Sequence, residues 1–287
     1  MLTQTAIESA CRQALAEDIG AGDATTLAVV PDNLEVSGAI VARQGCVCAG
    51  LRVAETVFRQ LNPAAAFEAC VNDGDACEPG AVLARITGRA RAVLTGERTA
   101  LNFLQRLSGI ATITRQYVDA VGKHQTRILD TRKTTPSLRV FEKYAVTCGG
   151  GVNHRMGLYD RVMIKDNHRE IARMDGPDGI SAAVRRCRER YPHLEIEVEA
   201  DTLEEVQAAA DAAADYILLD NMSDEEVGNA VSMVAGRALL EASGGITLER
   251  IPELARTGVD FISVGALTHS APAVDIALDL DPLGRPA

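Results

Sequence analysis

Residues 194–245 read LEIEVEADTLEEVQAAADAAADYILLDNMSDEEVGNAVSMVAGRALLEASGG. The strand-like runs LEIEVEAD (194–201), YILLDN (216–221) and ALLEASGG (238–245) alternate with the helical segments TLEEVQAAADAAA and SDEEVGNAVSMVA. A fourth run, FISVGAL (261–267), follows TLERIPELARTG, so successive strand starts are spaced by 22, 22 and 23 residues. Thr202 with Glu205 and Ser223 with Glu226 have the spacing of capping boxes at helix starts. Strand then helix at this period means parallel strands joined by crossover helices, hence a βα barrel or an open doubly wound sheet. No glycine-rich dinucleotide fingerprint follows any strand, which favours the barrel.

In such barrels, functional groups collect at the C-terminal ends of the strands. Those ends carry Asp130, Arg132 and Lys133; Lys165 and Asn167; Glu199; Asp220 and Asn221; Glu241 and Ser243; and Gly265. Glu195, Glu197 and Glu199 alternate with Leu194, Ile196 and Val198, so their carboxylates share one side of a strand. In a barrel that side is the interior, where acids require cations or a metal ion; on an edge strand it would be solvent. Glu199 with Asp220 makes a pair suited to Mg²⁺ held mainly through phosphate and water. The turns Ser243–Gly244–Gly245 and Val264–Gly265–Ala266 offer backbone N–H groups to a phosphate, or are simply tight structural turns.

Upstream, Arg127 to Arg169 places nine Lys/Arg against four Asp/Glu in 43 positions, a local +5 in a chain of net −11. The cations are interleaved with strand-like runs (ILDT, RVMIKDN), turn residues and the triple glycine Gly149 to Gly151, which is the setting of a binding site more than of a solvated tail. A bound anion of high charge density explains such an island. Arg132, Arg155 and His154 suit planar acids, because a guanidinium forks onto a carboxylate as Lys does not.

The N-terminal part reads as a helix over 5–18, extended segments, a second helix at LRVAETVFRQL and short strands around Asp73-Gly74, so residues 1–108 form an α/β domain. From Ala90 to about Val121 a long helical stretch follows, with a break expected near Ser108-Gly109. Leu94, Thr95, Leu101, Leu104, Leu107 and Ile110 make its apolar stripe, while Arg98 and Arg106 lie off it. Aromatic residues are 3%, with no Trp, and the pI is near 5.0, which argues against nucleic-acid binding. Seven scattered cysteines without a CxxC pair argue against zinc and for reduced thiols in the cytoplasm. No apolar run approaches the length of a membrane span, and the first twenty residues lack the features of a signal peptide.

Nearly the whole chain resembles the quinolinate phosphoribosyltransferase family. The resemblance is carried by EDIGAGDATT, GERTALNFLQRLSGIATIT, DTRKTTPSLR, KYAVTCGGGVNHRMGLYDRVMIKDNH, EVEADTLEE, LLDN, EASGGI and GVDFISVGALTHS. One departure is Ser137, where the family usually has Gly, and a slightly different turn is expected there. The resemblance implies a Mg²⁺-dependent reaction of quinolinate with 5-phosphoribosyl 1-pyrophosphate, giving nicotinate mononucleotide, pyrophosphate and CO₂. It implies an α/β-sandwich domain (1–108), an open seven-stranded βα barrel (109–270), and a C-terminal segment (271–287) that returns to the first domain. By the same match, Arg132, His154, Arg155 and Lys165 hold the quinolinate carboxylates beside Thr131, and Arg98 comes from the partner subunit of a homodimer. Lys133, Glu199, Asp220, Asn221 and His269 face ribose, metal and pyrophosphate, with Lys133, Glu199 and Asp220 in the catalytic roles and Glu199 and Asp220 as metal ligands. Ser243, Gly244, Gly245, Val264, Gly265 and Ala266 hold phosphate. A paralogue acting on nicotinate, or a silent anion-binding protein, is the competing reading; the number of cations favours a dicarboxylate.

Overall fold

The computed structural model describes residues 2–172 and 179–281. Along the chain run α1 (Gln4–Ile19), α2 (Ala24–Val29), β1 (Glu35–Ala42), β2 (Cys46–Val47), α3 (Leu51–Leu61), β3 (Ala66–Ala69), β4 (Ala76–Cys77), β5 (Val82–Arg89) and α4 (Ala90–Val121). Then come β6 (Arg127–Leu129), α5 (Arg139–Cys148), β7 (Val162–Ile164), α6 (Asp166–Ala172), α7 (Gly179–Arg190), β8 (Ile196–Ala200), α8 (Leu203–Asp211), β9 (Tyr216–Asp220) and α9 (Asp224–Val234). The last described elements are β10 (Leu239–Ser243), α10 (Ile251–Arg256), β11 (Phe261–Ser263), α11 (Ala266–His269) and β12 (Ile276–Leu280). They form two compact units: Met1–Arg115 with Val140–Gly150 and Ser270–Ala287, and Gln116–Arg139 with Gly151–His269.

The first unit is built on an antiparallel sheet of order β12-β1-β5-β3. Its last strand, β12, pairs along β1, and Gly38 is needed there, because a Cβ would lie 2.8 Å from the Asp279 carbonyl oxygen. Amphipathic α3 buries Val53, Ala54, Val57 and Phe58, and the Phe58 ring stacks 6.3 Å from Phe67 of β3. Burial of Val53, Val57 and Phe58 contributes about 1.5–3 kcal/mol each.

Helix α4 is continuous over 32 residues, so the expected break near Ser108-Gly109 does not occur. The two small residues serve packing instead. Ser108 Oγ accepts from the Ala49 N–H at 3.0 Å, and a Cβ on Gly109 would sit 2.0 Å from the Pro272 carbonyl oxygen. Leu101, Leu104, Leu107 and Ile110 form the buried stripe, while Leu94 and Thr95 are half-buried. Arg106 lies off the stripe, is half-buried, and is paired: it donates to buried Glu142 at 2.8 Å and to the Ala271 carbonyl at 2.9 Å. With Phe103 5.9 Å from Phe141 and Tyr144 Oη donating to Asp73 at 2.6 Å, this holds α5 within the first unit. The unit reaches Arg115 within α4 and takes in 140–150.

The second unit holds a parallel sheet of order β6-β11-β10-β9-β8-β7. Pairing of the first strand with the last is what closes a sequentially ordered sheet into a barrel. Val152 adds a seventh position through a single parallel bridge to Leu129, and among the described residues nothing pairs Val152 with β7, so the barrel is open at that seam. Both helix caps anticipated from the sequence form. Ser223 makes the full box with Glu226, whereas Thr202 Oγ1 accepts from the Glu205 N–H but the Glu205 carboxylate accepts from Asp201. On β8, Ile196, Val198 and Ala200 alternate with buried Glu197 and Glu199. Glu195 precedes the strand, is exposed, and pairs with Arg161 at 3.2 Å, so only two of the three glutamates are interior.

In the loop after β6, Ser137 has φ 66°, the left-handed region that favours glycine. The turn keeps a glycine-type backbone, and the serine bears the strain. Replacing Ser137 with Gly is expected to stabilise the fold by about 0.5–1 kcal/mol despite the added unfolded-state entropy, read as a higher denaturant midpoint at unchanged slope.

Candidate active site

At the C-terminal ends of the barrel strands lies a cavity of about 400 Å³. Thr131, Arg132 and Lys133 enter it from the loop after β6, His154 and Arg155 from the loop before β7, and Lys165 from the end of β7. Glu199 of β8, Asp220 of β9 and Ser243 of β10 complete the set expected from the sequence. Met163, Leu218, Glu241 and Ser263 also line it. Glu241 had been read as a strand-end residue without a role; the others sit at inward positions that only strand register reveals, as where Leu218 stands opposite both Glu199 and Glu241.

The cations are held close together. Arg155 is half-buried, donates to the Arg161 carbonyl at 3.2 Å, and has its pKa lowered first by burial and then by the charge of Arg132. Arg132 Nε is buried with no hydrogen-bond partner among the described residues. A buried, unsatisfied guanidinium donor beside a second guanidinium calls for an anion. On the opposite wall Lys165 forms an ion pair with Glu199. Thr131 Oγ1 accepts from the Lys133 N–H at 3.0 Å, and Thr268 Oγ1 donates to the Lys133 carbonyl at 2.7 Å, which fixes the backbone that carries Lys133.

His154 sits deeper. Its N–H donates to buried Asp130 at 2.9 Å, and its Nδ1 accepts from the Arg155 N–H at 2.6 Å. Nε2 therefore carries the ring proton, 3.0 Å from Glu197 and 3.5 Å from Glu241. This is the one group of three potential metal ligands among the described residues, with donor atoms within 4.8 Å of one another. The protonated Nε2 has no lone pair for a metal, so the cluster is a proton-sharing one. Burial works to raise Glu197, but His154 and Arg161 outweigh it and hold it below the usual carboxyl range. Burial, then the charge of Glu197, pushes Glu241 well above that range.

The glycine turns lie beside the cavity. Asn221 has φ 54°, donates to Asp220 at 2.9 Å, and abuts Gly244, where a Cβ would be 2.2 Å from Asn221 Oδ1. Gly245 also has positive φ, at 58°. Gly265 is wedged between Lys133 and His269, whose atoms would lie 3.1 and 3.2 Å from an added Cβ. Val264 is buried, Ala266 opens α11, and neither lines the cavity. Arg98 lies exposed on α4 in the first unit.

A βα barrel that gathers arginines, lysines and two carboxylates at its strand ends is the frame of a group-transfer enzyme for polyanionic substrates. The chain belongs to the quinolinate phosphoribosyl transferase family: residues 23–108 match the N-terminal domain and 110–279 the C-terminal domain of that family. A Synechocystis relative named "probable nicotinate-nucleotide pyrophosphorylase (carboxylating)" is 44% identical over 94% of this chain and 90% of its own. Quinolinate phosphoribosyltransferase (decarboxylating) 1b of Nicotiana tabacum is 41% identical over 93% of this chain and 80% of its own. The solved nicotinate-nucleotide pyrophosphorylase of Francisella tularensis superposes with a TM-score of 0.92 at 38% identity, covering 98% of both chains.

A raised folded-state pKa means that the stability contributed by Glu241 is present below its ordinary range and lost as pH rises through the raised value. Glu241→Gln, which mimics the neutral carboxyl, is expected to match wild type in melting temperature near pH 4.5 and to exceed it increasingly towards pH 8. Calorimetry across that range checks the sign.

Proposed function

We propose that the protein transfers the phosphoribosyl group of 5-phosphoribosyl 1-pyrophosphate to the ring nitrogen of quinolinate and decarboxylates the adduct, giving nicotinate mononucleotide, pyrophosphate and CO₂ in NAD biosynthesis. It is a pentosyltransferase. The observation that carries the reading is the meeting of Arg132, Arg155 and Lys165 with Glu199 and Asp220 in one cavity of about 400 Å³. With Lys165 paired to Glu199, Arg132 and Arg155 answer two carboxylates of the substrate; nicotinate would leave one guanidinium unanswered.

Arg132, Arg155 and Lys165, with His154 and Thr131 beside them, bind and orient the dicarboxylate. Its nitrogen already has a lone pair, so no general base is required. As the bond from ribose C1 to pyrophosphate breaks and the N–C1 bond forms, positive charge develops on the ribose, and Glu199 and Asp220 stabilise it. Lys133 and His269, on either side of Gly265, hold pyrophosphate oxygens, and the turns at Ser243–Gly245 and Val264–Ala266, with Asn221, hold the 5-phosphate. The ring nitrogen is then cationic. The electron pair of the breaking carbon–carboxylate bond flows into that ring, and the carbon then takes a proton.

Glu199 and Asp220 offer hard oxygen donors, too few for an all-protein cage, which suits Mg²⁺ that keeps waters and phosphate oxygens. When bound there, Mg²⁺ neutralises charge on the departing pyrophosphate. The active unit is a homodimer in which Arg98, exposed on α4, reaches the carboxylate subsite of the partner subunit. The protein works in the cytoplasm: its seven cysteines are free thiols, the state that a reducing compartment keeps.

Arg132→Ala and Lys165→Ala are each expected to lower kcat/KM for quinolinate by at least about 10²-fold with an unchanged circular dichroism spectrum. Pyrophosphate and CO₂ release, compared for quinolinate and nicotinate, reads the outcome, and near-normal quinolinate kinetics in either variant would refute the assignment. Mixing Arg98→Ala with Lys165→Ala subunits is expected to restore part of the activity, since one composite site in the hybrid is intact. Failure despite exchange shown by native mass spectrometry removes Arg98 from the shared site.

A further inference from the structure

The loops that carry Arg132 and Arg155 present two guanidinium groups to one cavity, and like charges held that close repel. Two side chains outside the cavity link these loops: buried Asp130 accepts the His154 N–H at 2.9 Å, and Arg139 reaches both. Arg139, the first residue of α5, donates through Nε to Thr134 Oγ1 at 3.0 Å and through Nη2 to the Arg132 carbonyl at 3.5 Å, both in the loop after β6. Through Nη1 it donates to the Met156 carbonyl at 3.0 Å, in the loop before β7 and next to Arg155. The second loop is closed on itself, since the Met156 and Gly157 N–H groups donate to Asp160 at 2.6 and 2.9 Å. Arg139 is thus a second tie, beyond the Asp130–His154 bond, from one carboxylate-binding arginine's backbone to the backbone beside the other.

Its acceptors are two carbonyls and a hydroxyl, and no carboxylate pairs with it among the described residues. That choice has a chemical consequence. Asp130, the other link, is fully buried and does not line the cavity; an Asp or Glu in place of Arg139 would bring negative charge to loops that must attract an anion. A guanidinium satisfied by neutral acceptors ties the loops and leaves its positive charge in the local field. We propose that Arg139 is a positioning residue for quinolinate: it fixes the spacing of Arg132 and Arg155 that matches two neighbouring carboxylates. The proposal rests on the assignment of those two arginines to the substrate.

The test compares Arg139→Lys, which keeps the charge but reaches one loop at most, with Arg139→Gln, which keeps one donor and no charge. Two readouts are taken on the full chain: amide hydrogen exchange without substrate, and steady-state kinetics with both substrates. In both variants, amides of residues 131–138 and 153–160 are expected to exchange about tenfold faster while the rest of the chain is unchanged. KM for quinolinate is expected to rise about tenfold, with kcat and KM for 5-phosphoribosyl 1-pyrophosphate within about twofold of wild type. Unchanged exchange in either loop overturns the brace. Faster exchange with unaltered KM for quinolinate overturns its role in positioning. Wild-type behaviour of Arg139→Lys beside an impaired Arg139→Gln reduces the role to charge alone, and a joint rise of both KM values with a lower melting temperature reduces it to general stability. Absence of quinolinate turnover in the wild type would instead unseat the reaction, while the exchange readout would still judge the brace.

Discussion

Acids can be buried inside the barrel only where each meets a cation, a donor or a proton. Asp130 accepts the His154 N–H, Glu197 faces His154 and Arg161, and Glu199 pairs with Lys165. Burial, and then the charge of Glu197, favours the protonated form of Glu241. The depth ordering follows from this. Arg161 pairs with exposed Glu195 and stacks 4.0 Å over Tyr216 where β8 and β9 begin, the proton-sharing cluster occupies the middle, and Lys165 with Glu199 stands at the cavity. A barrel interior that is usually aliphatic is here a ladder of compensated charge.

Charge compensation also separates the two halves of the site. The loops on either side of Val152 bring guanidinium groups, and the strands β8 to β10 bring carboxylates and a hydroxyl. The seam beside Val152 falls where the chain spends its length on loops instead of strand pairing, so the cationic half is held by local side-chain ties. The acidic half is fixed by sheet hydrogen bonds.

That difference explains what could be read from the amino-acid order. The strand–helix period predicted β8 to β11 and the helices between them, and the alternation of glutamates with Ile196 and Val198 placed Glu197 and Glu199 inside. Glu195 lies outside because the strand begins at Ile196, two residues after the start of the run LEIEVEAD, an edge that pattern alone does not locate. The break expected at Ser108-Gly109 did not occur, since Gly109 answers to the Pro272 carbonyl, a contact 163 residues away in sequence. The cations that line the cavity were legible as a basic island. Met163, Leu218 and Ser263 were not, because they are ordinary residues whose position depends on register; nor was the pairing of Arg106, which does lie off the stripe, because Glu142 lies in another helix.

The alternation on β8 makes that strand digital in its tolerance of change. Deleting or inserting one residue between Ile196 and Glu199 would exchange its faces, turning carboxylates against the surrounding helices and aliphatic side chains into the cavity. No local adjustment relieves such a slip, because β7 and β9 hold β8 by parallel hydrogen bonds along its length. Length variation in relatives of this chain should therefore collect in the loops, where Arg132 and Arg155 are carried, and be filtered out of the five residues Ile196–Ala200.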